Sequence, residues 1–178
     1  MARIPRPLLK LLDETLQENE RVLWQGRPDA WADLKMARIT WWLGVPWLAL
    51  TALATYKGWV TEAAFPLFMV GVAIMAIPVI HFVRDLRTLF VITDRRALII
   101  RDSWIEKKKT VDSTHLRAMD KELEILRVSG HVGHLNFASA VSGSRKADAD
   151  YTGRYGFRCV KNVDKVRDLL AGAIAKHA

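Results

Sequence analysis

Cysteine is almost missing from this chain of 178 residues, where Cys159 stands alone. A single thiol excludes an intramolecular disulfide and any metal site built from several cysteines, and it fits a reducing compartment. No Ser-His-Asp arrangement, phosphate-cradling glycine loop or paired-carboxylate motif stands out, so an enzyme is not expected, and neither is a cofactor. The basic start, Met1 to Lys10, is not followed by an apolar run of signal length, which argues against a cleaved leader. Charge itself is scarce in one place: between Ile39 and Val83 only Lys57 and Glu62 carry formal charges.

Ile39 to Tyr56 is free of formal charge, and so is Ala63 to Val83. A hydrocarbon layer ~30 Å thick needs ~20 helical residues to cross, so both segments are read as membrane spans. Trp41, Trp42 and Trp47 sit in the first turns of the first span, and Tyr56 and Trp59 mark its far end, as in an interfacial belt. Pro46, Pro66 and Pro78 are tolerated in such helices, where they bend the rod. The connector Lys57 to Glu62 holds one lysine. Arg3, Arg6, Lys10, Arg21, Arg27, Lys35 and Arg38 precede the hairpin, and Arg84, Arg87, Arg95, Arg96 and Arg101 follow it. The positive-inside rule then puts both termini in the cytoplasm. His81 is either an interfacial histidine beside Arg84 and Asp85 or part of an ion path.

Before the hairpin, Pro7 to Glu20 predicts an amphipathic helix with Leu8, Leu9, Leu12 and Leu16 on one side. Its polar face has few basic residues, which favours packing on protein over lying on lipid. Arg21 to Gln25 reads as a short strand and Gly26 to Asp29 as a turn.

After the hairpin the pattern changes to short runs. Thr88 to Thr93 and Ala97 to Arg101, separated by a polar turn, predict a β-hairpin. Further strands are expected at Trp104 to Val111, Lys121 to Ser129, Gly133 to Ala138 and Tyr155 to Val160. Leu116, Met119, Leu123 and Leu126 also fit a helical face, but the alternation of Leu123 and Ile125 with charges favours strand. Ser139 to Gly153 reads as a flexible loop. Asn162 suits an N-cap for a final helix whose stripe is Val163, Val166, Leu169, Leu170, Ala173 and Ile174. The expected organisation is an N-terminal cytoplasmic segment (1–38), a two-helix hairpin (39–83) and an α+β cytoplasmic domain (84–178).

Glu20 to Pro28 (ERVLWQGRP) and Phe90 to Ile100 (FVITDRRALII), flanking two spans, resemble bacterial membrane proteins with a pleckstrin-homology-like domain. The resemblance weakens between Lys107 and Arg154, and the aromatic at the start of the family's strand is Phe90 here. It implies a strongly bent, barrel-like antiparallel sheet with a C-terminal amphipathic helix plugging one end. It implies no enzyme, and fold does not fix function.

The C-terminal part holds 19 basic against 12 acidic residues. The most suggestive basic group is Lys107, Lys108 and Lys109 with Arg95, Arg96 and Arg101. It is read either as a contact for an anionic surface or partner, or as a solvated face that also serves topology. Arg95 and Arg96 have a competing structural reading, because Asp94 can pair with a following arginine or accept backbone N–H groups. His131 and His134 look like a metal pair, but a spacing of three on a strand points them to opposite faces and no third ligand lies nearby, so no metal is expected. Nucleic acid is not expected despite a pI near 9.9, since no reader motif appears. The expected function is a binding or accessory module in the bacterial inner membrane, holding a membrane protein partner, a second copy of itself or the anionic bilayer surface, with no small-molecule substrate. The alternative is a membrane stress or envelope sensor.

Overall fold

The two runs TLFVIT and RALII do not alternate, and a continuous apolar run suits a strand buried on both faces. In the computed structural model, which describes residues 4–103, 108–120, 122–139 and 154–177, that is what they form. Strands β1 (Val22–Gly26), β2 (Thr88–Thr93), β3 (Arg96–Ser103) and β4 (Lys108–His115) make one antiparallel sheet in that order. Phe90, Ile92, Ala97 and Ile99 face the main core, while Leu89, Val91, Leu98 and Ile100 face a second cluster. That second cluster is closed by helix α1 (Arg6–Thr15), which buries Leu8, Leu11 and Leu12. The N-terminal helix thus packs on protein. It is shorter than its expected range, and Leu11 rather than Leu9 completes its buried side.

A short 3-10 turn, Leu116–Ala118, leads to a second antiparallel sheet of β5 (Glu124–Ser129), β6 (Val132–Ser139) and β7 (Arg154–Lys161). The ambiguous fourth element is therefore a strand, with Leu116 and Met119 buried just before it. Phe157 stacks on Phe90 at 4.7 Å between ring centroids and meets Phe137 edge-on at 5.1 Å. Such aromatic pairs add to the energy of their burial. Gly156 is required here, because a Cβ would stand 1.9 Å from the Leu135 carbonyl oxygen.

Among the described residues the sheet does not close into a barrel, which corrects the finer expectation. The two sheets meet through an isolated Pro28–Val160 bridge and the Asp29 N–H on the Cys159 carbonyl at 2.7 Å. Pro28 occupies a non-hydrogen-bonded position of this antiparallel bridge, so its missing N–H removes no bond to β7 and the Asp29 N–H carries the pairing.

Helix α5 (Val163–Ala175) follows β7 and buries Val163, Val166, Leu170 and Ala173 in the main core. Asn162 does precede it, but in a left-handed conformation (φ 52°) with no side-chain cap. Its carbonyl instead accepts the N–H groups of Lys165 and Val166.

The α+β unit is assembled from residues up to Asp29 together with those from Arg84 onward. The boundary expected at 84 therefore omits a strand: β1, from before the hairpin, pairs with β2. The second unit, 30–83, holds α2 (Ala30–Ala37), α3 (Ile39–Tyr56) and most of α4 (Ala64–Leu86). Among the described residues one helix, α4, is long and apolar enough by length and composition to cross a membrane; α3, expected as the first span, falls short of that measure. Trp41 and Trp47 turn their indole N–H groups to the Met75 and Leu67 carbonyls of α4, at 3.2 and 2.9 Å. Gly44 lies against Met75, and Gly71 against Leu48 and Trp47. Trp42, Tyr56 and Trp59 stay exposed. His81 lies 3.8 Å from Asp33 of α2.

Candidate functional site

Antiparallel register sorts the charged residues to the two ends of the β2–β3 hairpin. Arg95 and Arg96 are at its turn. Arg101 lies across from Thr88, at its root, where α4 enters the sheet. Six residues of strand separate Arg95 from Arg101, roughly 20 Å.

At the turn, the Thr93 hydroxyl accepts the N–H groups of Arg95 and Arg96 at 3.2 and 3.0 Å, a local arrangement that threonine favours. The same hydroxyl donates to Glu20 Oε1 at 2.7 Å. Arg96 grips the Glu20 carboxylate with Nε and Nη2, at 2.9 and 2.8 Å, and Nη2 also donates to the Thr15 carbonyl at 2.9 Å. The Gln17 N–H completes the shell of Glu20 at 2.9 Å. Burial by itself would raise the Glu20 carboxyl. Hydrogen bonds from Arg96, Gln17 and Thr93 and the charge of Arg96 outweigh it and hold the carboxyl at about 2. Asp94 accepts the Arg21 N–H at 3.1 Å and donates its own N–H to the Arg21 carbonyl at 3.0 Å. The His177 ring meets the Asp94 carbonyl.

Arg96 therefore leaves the surface group to which the sequence assigned it, because it is buried on a carboxylate that lies 76 residues away in the chain. Of the two structural roles expected for Asp94, acceptance of a backbone N–H is the one formed. Arg95 is exposed.

At the root, the Arg27 guanidinium donates to the Leu86 carbonyl at the end of α4. A cation suits a helix C-terminus. Burial lowers the pKa of Arg27 from its ordinary value. The Thr88 hydroxyl donates to the Arg84 carbonyl at 2.9 Å, and the Asp102 N–H to the Arg87 carbonyl at 3.1 Å. Arg87 reaches Asp102 at 3.6 Å, and Lys109 lies across from Asp102 in the ladder. Arg84, Arg87 and Arg101 are half-buried, Lys109 is exposed, and Leu86 beside them is also exposed. Lys108 opposes Ser103 on the same stretch of β4. Lys107 lies outside the described residues, as does the loop expected over 139–153 beyond its first residue.

The root group of Arg27, Arg84, Arg87, Arg101 and Lys109 was only partly visible in the sequence. Arg84, Arg87 and Arg27 all entered the reading through topology, Arg84 also as a neighbour of His81 and Arg27 also through a motif. Their gathering depends on β3 folding back on β2.

His131 is exposed in the turn before β6, whereas His134 is buried and accepts the Cys159 N–H on Nδ1 at 3.1 Å. The two do not converge, and among the described residues no group of three His, Cys, Asp or Glu side chains could hold a metal ion. Near the connector end of the α3–α4 hairpin is an open groove of about 520 Å³, bordered by Thr51, Thr55, Tyr56, Phe65 and Phe68. Its lining is almost wholly apolar and brings no set of reactive groups together.

Compared with models of known protein families, with curated proteins and with solved structures, the chain matches none.

Proposed function

We propose that this chain is a membrane-anchored, non-catalytic binding module of the pleckstrin-homology-like kind. In this reading α3 and α4 are a two-span hairpin in a bacterial inner membrane with both termini in the cytoplasm. The α+β unit acts as an accessory module that holds a protein partner or the anionic bilayer surface. The observation that carries the reading is the insertion of the hairpin between β1 and β2, which are hydrogen-bonded neighbours. Both chain crossings into the hairpin therefore leave from adjacent strands. Two antiparallel sheets of four and three strands, followed by an amphipathic helix, support the pleckstrin-like reading. The charge-free α3, paired with α4 through two indole hydrogen bonds, supports the second span.

The test is purification of full-length protein from its native membrane in mild detergent, with mass spectrometry of what co-elutes. A stoichiometric membrane protein supports the accessory role. Recovery of the chain in the soluble fraction alone overturns the anchored reading.

A second reading, a membrane stress or envelope sensor, draws on the close approach of α3 and α4 at Gly71. A Cβ there would lie 2.4 Å from Leu48. Gly71→Leu should part the helices, and an altered envelope-stress response in cells carrying it is the expected result. An unchanged response would count against sensing.

A further inference from the structure

We infer that the root of the β2–β3 hairpin is a binding site for the phosphate of an anionic phospholipid headgroup, with Arg84, Arg87, Arg101 and Lys109 as its cationic contacts. The inference rests on the reading of α4 as a membrane span and names what that anchored module holds.

Three observations carry it. The first is reach. Helix α4 has 23 residues, a length of roughly 34 Å. That exceeds the ~30 Å hydrocarbon layer, so its last turn, with Arg84, falls at the headgroups. Strand β2 starts at Thr88, two residues after Leu86, and two residues of extended chain span at most ~7 Å. Register then brings Arg101 beside Thr88, and Lys109 beside Asp102. None of these residues can be far from the lipid phosphates.

The second is charge. Asp102 reaches Arg87 at 3.6 Å, and the basic residues of this end, Arg84, Arg87, Arg101 and Lys109, outnumber its acidic ones, Asp85 and Asp102. Screening extends over ~8 Å at physiological salt, which keeps Arg84 and Arg87, at and just after the end of α4, within range of the headgroups. The third is the exposed Leu86 between Arg84 and Arg87. An apolar side chain flanked by long cationic ones suits the boundary between acyl chains and headgroups.

The experiment offers detergent-solubilised full-length protein an equimolar mixture of phosphatidylglycerol and phosphatidylcholine with matched acyl chains. Native mass spectrometry reads the retained lipid. Enrichment of phosphatidylglycerol is expected. Arg101→Gln with Lys109→Gln should reduce it by about fivefold per residue, whereas Arg101→Lys with Lys109→Arg should preserve it. Equal retention of both lipids by the wild-type protein overturns the site, and so does enrichment untouched by the glutamine pair. If that happens while a protein partner still co-purifies, the headgroup site falls and the binding module stands. A chain absent from the membrane fraction removes both.

Discussion

The two ends of the β2–β3 hairpin use the same side chains in opposite ways. At the turn, Arg96 meets a carboxylate held in fixed geometry, and the pair is removed from solvent with its hydrogen bonds satisfied. At the root, Arg87 shares Asp102 loosely and its cationic neighbours remain accessible. A tally of basic residues does not separate these cases. The nearest acceptor does, and whether water can reach it.

The largest expected effect tests the turn. Glu20→Ala leaves a buried guanidinium without its carboxylate, and Arg96→Ala leaves the reverse. Each should cost about 3–5 kcal/mol in unfolding of the full-length protein in detergent, because one half of a buried pair is stranded. Replacing both with apolar residues, Glu20→Leu with Arg96→Met, should restore much of the loss. If either single change were nearly neutral, the two ends would not differ as described.

Acid titration probes the same pair without mutation. The Glu20 carboxyl titrates at about 2 in the folded chain against an ordinary 4.5. A depressed pKa stabilises the fold fully above pH 4.5, and that contribution disappears as pH falls through 2. It should amount to roughly 3 kcal/mol, and Glu20→Gln should flatten that part of the stability profile.

A smaller effect belongs to the structural part of the root. Arg27→Ala removes the cation from the end of α4 and should cost about 1 kcal/mol, read as faster amide exchange over Leu86 to Thr88. Smallest of all, Arg101→Gln with Lys109→Gln should change stability by less than about 0.5 kcal/mol while altering lipid retention. Arg95→Ala should alter neither, which sharpens the contrast between exposed cations near α4 and one distant from it.

Much of the fold was legible because its signals are local. The β2 and β3 runs, the α5 stripe and the charge-free helix α3 each follow from periodicity or composition. The turn network was not, although its residues lie in the very segments that carry the family resemblance. Glu20 and Arg21 belong to one segment and Asp94 and Arg96 to the other, and they interlock across the inserted hairpin. A residue string cannot announce that two motifs touch. The same limit made β1 look like part of a separate N-terminal segment.

The sequence by itself determined which segments are apolar, which are strands and where basic residues are plentiful, since these depend on neighbours a few positions away. Tertiary structure alone decided that β1 completes the sheet, that the two sheets meet at Pro28 and Asp29, and that Arg96 is buried while Arg101 is not. The physical reason is that burial and ion pairing depend on distance in space. Contacts across 73 to 76 residues exist only once the sheet has brought both strands together.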